Sequence, residues 1–242
     1  MLSYILVCAI GFVAGCLSGV IGTGASLILL PVLVPIFDPA RAIPVMAIAG
    51  LMANVARVMA WHREVDWRAV LAYALPGVPA ASLGALSLVH LPAAVSGTLL
   101  GLFIMLLVPF RRSIRKRDIK IGLGGMAAAG AIVGFLTGMF LSTGPLSIPA
   151  FLAFGLVKGA FLSTEAASTI FLQAAKVLTF YEAGALTTDL LISGLIIGSS
   201  LMAGTFFSKR YVVSLSERNF RLMMDAITLA SGLWLMLVGL FG

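Results

Sequence analysis

The sequence predicts an all-α polytopic membrane protein made of two inverted repeats of about five segments each, and three observations predict it. Of its 242 residues, 61% are apolar and only 10% charged; a soluble domain needs roughly 25% charged residues to cover its surface, so lipid is the solvent here. A glycine-broken apolar segment occurs at 11–31 and again at 130–149, a once-per-half pattern that in carriers points to a binding site at the bilayer midplane. Six of the sixteen basic residues stand together at 111–120, between two hydrophobic stretches, where positive charge marks a cytoplasmic loop. The organisation that follows is a first transmembrane repeat over 1–110, a basic linker over 111–120 and a second, inverted repeat over 121–242.

The first apolar stretch carries no charge from 4 to 37. As one helix it would be about 51 Å long, too long for a single crossing of about 30 Å and short for two. Gly22, Gly24 and Pro31 divide it into a helix near 4–21 and a half-helix near 24–37, and broken backbone in a bilayer must face protein or a wet cavity. Helices near 41–61, 69–89 and 93–110 follow, joined by Asp38-Pro39-Ala40-Arg41, by His62-Arg63-Glu64-Val65-Asp66 and by the turn His90-Leu91-Pro92. After the linker, a span near 121–141 leads into the second break and a half-helix near 143–155, and helices near 160–182, 187–208 and 217–241 complete the set. Val13-Ala14-Gly15-Cys16 imitates a lipoprotein cleavage site, but residues 1–10 carry no charge where a secretory signal needs a positive start. The segment is therefore read as part of the mature protein.

The two copies align at a nearly constant offset. Gly11, Gly15 and Gly19 match Gly130, Gly134 and Gly138 at 119; Ser26 and Pro31 match Gly144 and Pro149 at 118; Asn54 and Arg57 match Gln173 and Lys176 at 119; and Gly84 matches Gly204 at 120. Charge bias orients the halves. The basic linker and the cluster Lys209, Arg210, Arg218 and Arg221 belong inside, and the joint with Glu182 and Asp189 outside. Each half then holds five segments beginning with a hairpin, the halves have opposite orientation, and both termini lie outside. Arg41 outside is one mild violation.

The twin G-x-x-x-G…G-x-G-x-S…P segments at 15–31 and 134–149, Glu64-Val65-Asp66-Trp67 after the second long helix and Gly184-Ala185-Leu186 in the matching place together resemble the sulfite exporter TauE/SafE family. The likeness covers nearly the whole chain. It implies movement of sulfite, organosulfonates or related sulfur compounds across the cytoplasmic membrane of a prokaryote. The chain departs from the family's glycine run, with Gly24-Ala25-Ser26 in the first copy and Ser142-Thr143-Gly144 in the second, which is one residue shorter.

Candidate site residues follow from the chemistry of an anion in lipid. A half-helix N-terminus offers unpaired N–H groups and positive dipole. This selects Gly22, Thr23, Gly24 and Ser26 in the first copy and Ser142, Thr143 and Gly144 in the second, with hydroxyls as extra donors. The upstream glycine ridges are read as helix-packing surfaces. Asn54 with Arg57, and Gln173 with Lys176, each share a helix face, and Glu165, Thr169, Gln173 and Lys176 form a polar stripe on an apolar helix. Ionisable residues inside a span are functional candidates, set against snorkelling of both cations to a helix end. With opposed orientations Arg57 can pair with Glu165, which leaves Lys176 as the cation expected to meet an anionic substrate. Glu165 and Asp225 are candidates for a coupling proton, with Arg221 as the competing partner of Asp225.

Other classes lack residues. Cys8 and Cys16 have no metal spacing and read as packing. The glycines at 19–24 follow no strand and precede no βαβ acid, so they are no dinucleotide loop. No metal, cofactor, nucleic-acid or enzymatic role is expected. A secondary permease for a small sulfur-containing anion leads, with an anion channel or a non-transporting membrane scaffold as alternatives.

Overall fold

The structure, a computed structural model, describes residues 2–21, 25–92, 120–140, 144–156 and 158–208, with a few positions between 95 and 102. Among the described residues it is all-helical, with no strand: α1 (Leu2–Ile21), α2 (Ala25–Trp61), a 3-10 turn (His62–Glu64), α3 (Trp67–Val89), α4 (Leu123–Met139), α5 (Gly144–Ala153), α6 (Lys158–Glu182) and α7 (Thr188–Ser208). Three stretches are long and apolar enough to cross a membrane: Arg41–Glu64, Trp67–Val89 and Thr188–Ser208. Leu75, Ile132, Leu83 and Leu178 are each more than half exposed, an apolar periphery that only lipid or another apolar partner would cover. The helix expected near 217–241, all of the one near 93–110 but positions 95, 98, 99 and 102, and the linker 111–120 but for Lys120, lie outside the described residues.

One expected boundary is corrected. The half-helix near 24–37 and the helix near 41–61 are a single α-helical run, Ala25–Trp61, with the joint at 38–41 inside it. The second copy does break there, and the two sequences show why. Gly155 takes φ 102°; its N–H bonds to Leu152 O (3.0 Å) and the Leu156 N–H to Phe151 O (3.2 Å), the paired bonds of a Schellman stop. Gly155 aligns with Phe37 at the offset of 118, and a phenylalanine does not enter the left-handed region cheaply. Gly184 (φ 69°) ends α6 the same way, with bonds from its own N–H to Tyr181 O and from Ala185 N–H to Phe180 O. Asp66 starts α3 by accepting from the Arg68 and Ala69 N–H groups, an ordinary N-cap.

Helices pair across the sequence halves. α1 lies against α7, α3 against α4, and α2 against both α6 and α7. The glycine ridges make the first two contacts. A Cβ at Gly15 would strike the carbonyl of Leu201, and one at Gly204 would lie between Phe12 O and Cys16 N. In the other pair Gly134 faces Gly77 O, Gly138 faces Ala81 O, and Gly84 lies between Phe135 O and Met139 N. Backbones this close need small residues. Both pairs run parallel, since contacting positions advance together. With Gly84 matched to Gly204, Phe12 matches Ala131 and Cys16 matches Phe135. Gly84 nevertheless sits one turn further on, at Phe135 and Met139. The α3–α4 pair is thus displaced by one helical turn, about 6 Å, from the register of α1–α7.

Candidate functional site

α2 and α6 run antiparallel through the middle of the bundle. Arg57 reaches Glu165 near one end of the contact, and Gly50 faces the Gln173 amide further along. Asn54, Arg57, Glu165, Gln173 and Lys176 are all 5% exposed or less. Neither cation snorkels. Arg57 Nη1 donates to Glu165 Oε2 at 3.0 Å, and its Nη2 donates to Asn54 Oδ1. The expected pairing of Arg57 with Glu165 is therefore present. The carboxylate's second oxygen is held too: Ser147 Oγ of α5 donates to Oε1 at 3.0 Å and Thr169 Oγ1 at 3.2 Å. Glu165 thus ties α2, α5 and α6 together. Such a pair is stable in a low-dielectric interior only when its remaining lone pairs are also satisfied, and the two hydroxyls do that.

Lys176 is fully buried, on the face of α6 that carries the polar stripe. Its Nζ donates to the carbonyls of Thr137 (2.6 Å) and Phe140 (3.1 Å) and lies 5.5 Å from the centre of the Phe180 ring. The two carbonyls close α4, whose last residue is Met139, so the ammonium sits at the negative end of that helix dipole. It is held there by backbone, and no carboxylate is among its described partners. An ammonium has three donors; two are used by described groups. The chain then passes through 141–143 into α5, which begins at Gly144. The cation is anchored on the last carbonyls of α4.

Other expected site residues fall elsewhere. Gly22, Thr23, Gly24, Ser142, Thr143 and Asp225 lie outside the described residues. Ser26 and Gly144 stand at the start of α2 and α5. Gln173 is one turn before Lys176, and its Oε1 is buried with no partner among the described residues. Hydroxyls elsewhere on α6 mostly bond back to their own helix, as Ser163, Ser168 and Thr179 do. Thr164 instead accepts from the Asp66 N–H at 2.9 Å, fixing the start of α3 against α6. His62 and His90, expected at helix ends, are exposed there.

Sequence reasoning missed Ser147 and the carbonyl seat of Lys176. Ser147 could have been found as a hydroxyl one turn into an apolar half-helix, where the first copy has Leu29. The carbonyls could not, because main-chain acceptors carry no sequence signal.

Comparison with curated proteins and with solved structures gives no match. The family model for Sulfite exporter TauE/SafE matches residues 7–235. With nearly the whole chain matched and its helices apolar enough to span a bilayer, the protein is a membrane protein belonging to the sulfite exporter TauE/SafE family, a family of transporters.

Proposed function

We propose that this protein is a secondary permease that moves a small sulfur-containing oxyanion, sulfite or an organosulfonate, by alternating access about its glycine-broken segments. The observation that carries the reading is Lys176: an ammonium buried among apolar helices, seated on the carbonyls that end α4. Burying an ammonium costs several kcal/mol, and two carbonyls lower that cost without neutralising the charge. An oxyanion would neutralise it, and Gly22, Thr23, Gly24, Ser26, Ser142, Thr143, Gly144 and Gln173 remain the proposed donors along its path.

Two features support the inverted-repeat part of the reading. The equivalent helices α2 and α6 run antiparallel. The equivalent glycine pairs α1–α7 and α3–α4 stand one turn apart in register, as two halves would at one extreme of a rocking cycle. On this reading the linker 111–120 is cytoplasmic, both termini are outside, and the membrane is the cytoplasmic membrane of a prokaryote. Reconstituted protein should move at least one of sulfite, thiosulfate, sulfoacetate and taurine into proteoliposomes with saturable kinetics. Folded protein that moves none of them returns the scaffold reading.

A further inference from the structure

We propose that Glu165 is the resident counter-ion of Arg57 and surrenders it by taking a proton, so that one proton travels with each anion. The inference rests on the permease reading above and adds a second cation to the anion's path, about 16 Å from Lys176 along α6.

The geometry divides the carboxylate's work between its oxygens. Oε2 holds Arg57 and Oε1 is held by Ser147 and Thr169. A proton added at Oε2 ends the ion pair while the two hydroxyls keep the neutral acid in place, so the group need not swing to free the guanidinium. Asn54 keeps its own bond to Arg57 Nη2 and holds the guanidinium in position for a newcomer. The charge count is conserved. Before exchange the site holds Arg57⁺ and Glu165⁻; afterwards it holds Arg57⁺, the monovalent anion and neutral Glu165. No net charge is buried in either state, and a buried uncompensated charge is what a membrane interior penalises most.

The groups around Glu165 leave it as the proton acceptor. α2 contributes Arg57, α5 contributes Ser147, and α3 contributes Tyr73, buried against Phe151 and within electrostatic reach of Glu165. Beyond them, Asp66 is engaged as the cap of α3 and Glu64 lies over Gly159 at the start of α6.

The test uses the full chain in proteoliposomes with ethanesulfonate, whose single charge does not change over the working range, alongside sulfite. An outside-acid gradient of one pH unit should drive about a tenfold inward accumulation of ethanesulfonate, one proton per anion. A potassium–valinomycin potential should not change that ratio. In Glu165→Gln the response to the pH gradient should vanish and ethanesulfonate binding should become independent of pH. Ser147→Ala removes a donor to the charged carboxylate, so the pH midpoint of anion binding should rise. That variant leaves the ion pair in place and answers the case in which the glutamine variant does not fold. Accumulation that follows the potential, a glutamine variant that still follows the pH gradient, or an unmoved midpoint in Ser147→Ala overturns this inference alone. A wild type that moves no anion overturns the permease reading with it.

Discussion

Glu165 and Lys176 share one face of α6 and solve the same problem differently. Glu165 is neutralised by a side chain, Arg57, with hydroxyls on its other oxygen; Lys176 is seated on main-chain carbonyls. Removing one partner of a buried pair strands the other charge, at about 3–5 kcal/mol. Glu165→Ala should therefore lower the thermal midpoint in detergent far more than Asn54→Ala, which leaves the pair intact; equal effects would show that the pair is solvated. Both cations were legible as buried functional candidates, because Arg57 and Lys176 interrupt long apolar runs and each stands three residues after an amide. The pairing of Arg57 with Glu165 was legible only through the assumed opposition of the two helices.

At the scale of elements, glycines decide where helices stop and how closely they approach. Gly155 and Gly184 both hold positive φ, so an alanine at Gly155 should cost about 1–2 kcal/mol and loosen the junction of α5 with α6. At Gly134 the cost comes from contact: its missing Cβ leaves room for the carbonyl of Gly77. Gly134→Leu should prevent α4 from docking on α3 and leave the protein unfolded or aggregated in detergent, whereas leucine at Gly124, where nothing lies within 4 Å, should be accepted. A folded, monodisperse Gly134→Leu protein would contradict the close packing. The ridges at Gly11, Gly15 and Gly19 and at Gly130, Gly134 and Gly138 were readable as packing surfaces from their four-residue step. The length of α2 was not. Its prolines read as breaks, but Leu29, Leu30, Leu33, Val34, Ala42, Ile43, Val45 and Met46 are buried on both sides of the expected joint, so packing holds the run together despite lost backbone donors.

For the whole molecule, the class of fold was settled by composition, since a chain with 10% charged residues cannot cover itself in water. The one-turn difference between the glycine pairs was beyond the sequence, because a ridge with a four-residue step fits its track in either register. α3 presents Tyr73, Gly77, Ala81 and Ala85 to α4, so small residues continue one turn past the observed seat, and the permease reading predicts a slide of about 6 Å along them. Spin labels at the exposed positions Leu83 and Ile132 should therefore report two distances whose populations shift with added sulfite; one distance indifferent to sulfite would show a fixed interface. Whether the buried cation on the end of α4 receives an anion is decided by Lys176→Met in proteoliposomes. Methionine fills the space without the charge, and melting in detergent reports separately any cost of losing the two hydrogen bonds to Thr137 and Phe140. Saturable sulfite or organosulfonate flux in the wild type, lost at least a hundredfold in a folded Lys176→Met protein, is the expected result, since about 3 kcal/mol of lost charge–charge binding corresponds to that factor. Undiminished flux in the folded variant would show that the anion passes without this cation.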